Sequence, residues 1–263
     1  MGIFDFLRGG KTGKSSPAPA AAAPPLDKKI AGPAKVVADK RAQTYDRIEA
    51  IQALVDAQTP EAAAALLRRF NFSIDPSITD QEEKELSFQG IVTAGRETDV
   101  AREQVVEAVR TFAARAEQLN WPLKVLRELL DDQAYVDEVC ELLEKYDTEY
   151  TRNVEPKVQL IAALEDVKAD DVREAVEPFL GDVNETVRFH AVQTTFAQGD
   201  ATSVAALVKP LVTEESVRVK NKVAEGLLKR GWVIPEELRD TTRQALRDTE
   251  QYSVGGDGKV VKR

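Results

Sequence analysis

The chain has 263 residues, a formal net charge of −9 and 43% hydrophobic residues, enough apolar side chain to build a core. Its single Cys excludes a disulfide framework and any cysteine-cluster metal site, and its single His excludes a histidine-rich one. The charge divides into +5 over residues 1–41, −16 over 42–250 and +2 over the last thirteen residues, and so acidic a body argues against a nucleic-acid partner.

Residues 1–8 read as an amphipathic hook. At 100° per residue Ile3, Phe4, Phe6 and Leu7 fall within one arc of about 160°, with Asp5 and Arg8 on the other side. Gly9-Gly10 ends any helix there. So short a helix does not hold alone in water, so the segment is expected to fold when its apolar face is buried elsewhere. Arg8, Lys11 and Lys14 suit an anionic lipid surface, which makes residues 1–14 the candidate for peripheral membrane contact; a groove on a protein partner fits equally. No secretory leader pattern is present, Phe6 stands where a myristoylation signal needs Ser or Thr, and no apolar run reaches the roughly 20 residues of a membrane span.

Residues 9–41 read as a disordered, basic linker rich in Gly, Ser, Pro and Ala over 9–26. Its Gly-Lys-Thr-Gly-Lys-Ser run misses the phosphate-loop spacing, because three residues rather than four separate Gly9 from Gly13. At about 3.1 Å per residue, residues 9–26 reach up to roughly 55 Å, so the linker makes the hook a tethered one.

From residue 42 onward apolar residues recur every three or four positions, with no sustained alternation. The breaks predict helices over 42–57, 60–70, 81–94, 98–119, 122–131, 133–146, 155–167, 170–180, 184–198, 201–212, 215–229 and 235–248. Thr59-Pro60-Glu61 and Ile234-Pro235-Glu236 carry helix-start signals. Twelve consecutive helices suggest six hairpins spanning a domain over 42–250, followed by a mobile basic tail over 251–263.

The last three hairpins align by their residues. Val158-Gln159-Leu160, Val187-Arg188-Phe189 and Val217-Arg218-Val219 open equivalent helices 29 and 30 residues apart. Val176-Glu177-Pro178-Phe179-Leu180 and Val208-Lys209-Pro210-Leu211-Val212 close partner helices 32 apart. Two helices in about 30 residues is the period of an α-solenoid. The run from Asp182 through Val187-Arg188 to Ala191 resembles the HEAT-repeat family. That resemblance implies an all-α superhelix of about six antiparallel helix pairs that scaffolds protein–protein contacts.

Candidate sites follow from this frame. Arg188, His190, Arg218, Lys220 and Lys222 are expected to stack into a partner-binding stripe able to hold an acidic peptide or a phosphate; pairing with acidic turns at Asp182, Glu185, Glu214 and Glu215 competes with that use. Cys140 lies among Asp137, Glu138 and Glu144, which raise a thiol pKa, so it reads as buried filler. Nine acids between 128 and 149 read as a solvated face or as a docking face for a basic segment. No catalytic residue, metal site or cofactor is expected. The chain is expected to be a cytoplasmic, non-enzymatic adaptor for a protein partner, with the hook reaching that partner or the inner membrane face. The alternative is a module tied to an enzyme activity of the chromophore-lyase or nucleic-acid-repair type.

Overall fold

The computed structural model describes residues 27–263; the expected hook, with its docking residues Ile3, Phe4, Phe6, Leu7 and Arg8, and linker residues 9–26 lie outside them. Thirteen α-helices are described: α1 (Lys28–Val37), α2 (Thr44–Ala57), α3 (Pro60–Leu66), α4 (Ser77–Arg96), α5 (Asp99–Ala113), α6 (Asn120–Leu129), α7 (Asp132–Leu143), α8 (Glu155–Ala163), α9 (Asp170–Val176), α10 (Glu185–Gln198), α11 (Val204–Val208), α12 (Val217–Arg230) and α13 (Arg239–Ala245). Short 3-10 turns extend α3, α9, α11 and α13. The chain is therefore predominantly helical, as the periodicity predicts.

Local chemistry sets the helix ends. Thr59, Thr98, Asp131 and Ser216 each accept a hydrogen bond from the backbone N–H three residues on, and Asn184 accepts two, from Thr186 and Val187. Gly199 and Gly231 close α10 and α12 at φ 80° and 62°, the left-handed conformation that costs a glycine nothing.

The helices lie in two layers. α2, α4, α6, α8, α10 and α12 follow one another in one layer. In the other, α1 packs on α3, α3 on α5 and α7 on α9, while turns 177–181 and 209–212 carry the contact on to α11 and α13. One apolar core runs between the layers, including Ile51, Ile91, Val105, Leu126, Leu160, Val187 and Leu227.

Two boundaries differ from the sequence expectation. The linker ends earlier than residue 41, because α1 occupies 28–37 and buries Ile30, Ala34 and Val37, an i, i+4, i+7 stripe, against its neighbours. Gly32 and Pro33 hide that helix from a reading based on breakers. The tail over 251–263 is an antiparallel hairpin: β1 (Tyr252–Val254) pairs with β2 (Val260–Lys262), Val254 opposite Val260. Tyr252, Val254 and Val260 are buried, Ile234 N donates to Gly258 O, and Arg243 Nε donates to Val254 O. Asp257-Gly258, with Gly258 at φ 81°, makes the turn that the glycine-rich composition disguised as a mobile end.

The repeat register also differs. Val217 is 45% exposed, whereas Val219 is buried like Val187, so the equivalent pairs are Val187-Arg188 and Val219-Lys220, 32 residues apart. In this register the acid-x4-Val-base pattern occurs twice, as Asp182 to Arg188 and as Glu214 to Lys220. Pro156-Lys157 opens α8 31 residues before Val187-Arg188. The cations at these positions form a ladder. Lys157 Nζ donates to Asp182 Oδ2 at 2.7 Å, Arg188 donates to both carboxylate oxygens of Glu214 at 2.7 and 2.8 Å, and Lys220 Nζ donates to Asp248 Oδ2 at 2.8 Å. Each rung ties one helix of the even layer to the turn that follows the next odd-layer helix.

At the other end a buried ionic cluster joins α2, turn 67–71 and α4. Glu83 accepts from Arg47 and Arg69, and Asp80 accepts from Arg69 and Lys84, at 2.6 to 2.9 Å. Among the described residues, no helix is long and apolar enough to cross a membrane. None of them form a group of three or more His, Cys, Asp or Glu placed to hold a metal ion.

Candidate binding surfaces

The expected stripe separates into two sets. Arg188 and Lys220 are ladder rungs: Arg188 spends its remaining Nη1 donor on the carbonyls of Asp182 and Val183, and Lys220 is buried. Neither offers its charge to a partner, so charge pairing prevails at these two positions. His190, Arg218 and Lys222 come together instead around Phe189. The Arg218 guanidinium sits 3.7 Å from the Phe189 ring centroid and Lys222 Nζ 5.4 Å from it. Arg218 also reaches Glu185 at 3.4 Å. His190 Nδ1 is buried without a hydrogen-bond partner. Burial first, then the Arg218 charge, holds the His190 pKa below its ordinary value, against the opposing pull of Glu165 and Glu155.

A second cation–aromatic station lies along the same layer, at α6. Trp121 stacks on Phe70 with centroids 5.6 Å apart and an interplanar angle of 11°, and leans on Phe88. Lys124 Nζ sits 4.4 Å from the Trp121 ring, and the Arg127 guanidinium 5.1 Å from that of Tyr135. Phe70, Trp121, Lys124, Arg127 and Tyr135 border a groove of about 640 Å³. Its floor is apolar, with Phe70, Pro122, Leu123, Val158, Ala162 and Val167. Of its charged lining, Lys84 is buried against Asp80 and Arg127 pairs with Asp132, so Lys124 is the cation left without a carboxylate within 4 Å among the described residues, with Asp166 also on the lining. Burial, with the Asp166 charge, pushes the Tyr135 hydroxyl up to about 12 despite Arg127 nearby, so it stays protonated. The sequence offered one signal for this groove: Trp121, Lys124 and Arg127 recur at helical spacing on one face, with one of only two tryptophans.

The acidic run 128–149 divides by role. Glu128 pairs with Arg96, Glu138 with Arg110 and Asp132 with Arg127, while Asp131 caps α7. Asp137, Glu141, Glu144 and Asp147 edge a groove of about 770 Å³ between α7 and α9, in the opposite layer. Cys140, Leu143, Tyr146, Ala175, Pro178 and Phe179 form its floor. Asp137, Glu141, Glu144, Asp147, Asp171 and Glu174 form its rim, and no Lys or Arg lines it. Cys140 packs against the core, as a filler does, but is half-buried and also lines this groove. Burial, then Asp171, Asp137 and Glu144, push its thiol up to about 11, the direction the acidic neighbours predict.

No protein-family model matches the chain, and no curated protein matches it. Among solved structures, one similar chain comes from work titled "Computational Design of Self-Assembling Cyclic Protein Homooligomers". It is 11% identical, with 84% of this chain and 88% of that one covered, and its TM-score of 0.17 carries no argument about fold or function.

Proposed function

We propose that the chain is a HEAT-like α-solenoid that works as a non-enzymatic scaffold, binding an acidic, partly apolar segment of a protein partner along its even-numbered helices. The observation that carries this reading is the groove at α6, where an apolar floor beside Trp121 is edged by Lys124 over the Trp121 ring and Arg127 over the Tyr135 ring. Cations held over aromatic faces keep their charge available while their stems cover apolar surface. The Phe189 station, with Arg218 and Lys222, repeats that chemistry on α10 and α12, and α8 bridges the two. A segment with alternating acidic and apolar side chains satisfies both stations.

The HEAT-like character rests on the acid-x4-Val-base pattern and on the ladder that ties each of α8, α10 and α12 to the turn after the next odd-layer helix. Equivalent positions then recur along the stack, and that recurrence gives such scaffolds extended binding faces.

Affinity capture with the full chain tests the reading. Lys124 and Arg218 are both exposed, so Lys124→Glu/Arg218→Glu leaves the core intact. The double variant is expected to retain roughly tenfold less of the captured partner, the effect of about 1.4 kcal/mol. Capture of the same protein in equal amount by the variant contradicts the proposed face.

A further inference from the structure

We propose that the acidic groove between α7 and α9 is the docking site for the chain's own residues 3–14. The match is one of shape class and charge. The groove offers an apolar floor, including Leu143, Tyr146, Pro178 and Phe179, under a rim of carboxylates. Residues 3–14 offer Ile3, Phe4, Phe6 and Leu7, followed by Arg8, Lys11 and Lys14. Apolar side chains leave water for the floor, and the three cations meet the rim.

The rim charges are free for such a partner. Among the described residues, only Glu174 of the six has a cation within 4 Å, Arg173 at 3.8 Å. Asp137 accepts from Gln133 Nε2 and Asp147 from the backbone N–H of Glu149, neither donor being a cation. The groove at α6 suits the same segment less, because it has one lining carboxylate, Asp166, and presents the Lys124 cation.

The tether permits the contact within one molecule. α1 begins at Lys28, in the same layer as α7 and α9. Two helices of that layer, α3 and α5, separate α1 from α7. At about 8–10 Å per helix spacing, α7 stands roughly 30 Å from α1 and α9 one spacing further. The twelve residues 15–26, between the docked segment and the described fold, span up to roughly 37 Å, enough to reach the α7 side of the groove. A tethered segment meets its groove at an effective concentration on the order of 1 mM, so an intrinsic Kd of about 0.1 mM fills the groove about nine-tenths of the time.

A spin label at residue 2 tests this. Gly2→Cys in a Cys140→Ser background gives the full chain one labelling site, outside the described residues. The nitroxide is expected to broaden backbone amide signals of residues 140–147 and 171–179 selectively, with most of their intensity lost. Adding Phe4→Asp/Phe6→Asp, or Arg8→Glu/Lys11→Glu/Lys14→Glu, is expected to restore those signals without moving the rest of the spectrum. Broadening at α4 and α6 instead, or of no amide, overturns the proposal. So does broadening that arises only when the label sits on an isotopically unlabelled second copy, because that places the segment on a neighbour.

Discussion

Glu83→Ala is expected to cost about 3–5 kcal/mol of stability, read as a lower urea midpoint at unchanged m-value. Glu83 Oε2 takes the Nε–H of both Arg47 and Arg69, at 2.7 and 2.6 Å, and Oε1 takes a second bond from Arg47 at 2.9 Å. All three side chains are at most 2% exposed. With Asp80 and Lys84 the cluster holds three cations and two carboxylates. Removing Glu83 leaves three buried cations facing one carboxylate, and the uncompensated charge, more than the lost attraction, sets the cost. Glu83→Gln keeps an acceptor in place and is expected to cost less. The cluster also sets an acid limit. Burial raises the Asp80 pKa, and hydrogen bonds from Lys84 and Arg69 outweigh it, so the carboxyl lies below its ordinary value. A carboxylate depressed in the folded state lends its stability above the unfolded pKa of about 3.9 and withdraws it as pH falls through the lower folded value. Acid unfolding in that window is expected to begin at the α2–α4 end.

The second large effect is at the ladder. Lys157→Ala is expected to cost about 3–5 kcal/mol, because it strands the Asp182 carboxylate in a site with no exposure. Lys157 Nζ also holds the carbonyls of Asp147 and Glu149, at 2.7 and 3.3 Å, so the loop between α7 and α8 loses its anchor. Lys157→Met/Asp182→Asn removes both charges together and is expected to recover much of the loss, a coupling that a double-mutant cycle reads directly. The rungs should weaken along the chain. Arg188–Glu214 is 17% and 2% exposed, and Asp248, the partner of Lys220, is 65% exposed. Truncating Arg188 is therefore expected to cost less than truncating Lys157, and truncating Lys220 the least. Equal costs at the three positions contradict the ladder as a set of burial-graded contacts.

These two sites show why some of the molecule was legible in the sequence and some was not. Helix spans followed from apolar spacing, because a helix that packs on a neighbour needs that stripe whatever its partners are. Val176 and Val208, 32 residues apart, sit alike in the structure: both are buried, and both helices pass into a proline-bearing turn at Pro178 or Pro210. The matching of Val217 to Val187 failed because it followed the letters Val-Arg. The structure conserves instead a buried valine followed by a cation of either kind, which selects Val219-Lys220. The ionic cluster at Arg47, Arg69, Asp80, Glu83 and Lys84 was invisible, because charged residues in a helix pattern read as solvent-facing unless their partners are known. The groove at α6 draws on residues 70–84, 118–135 and 158–167, a juxtaposition that only the stacking of α4, α6 and α8 creates.

The claim on which the functional account turns is that Trp121 sits in a binding groove for acidic segments. Trp232 stacks on Phe196, so Trp232→Phe preserves that contact and leaves Trp121 as the sole tryptophan. Its emission, titrated with a short peptide of alternating Glu and Leu, is expected to shift saturably, with affinity falling as salt is raised. No saturable shift, or an equal response to the same peptide with Lys in place of Glu, contradicts the account.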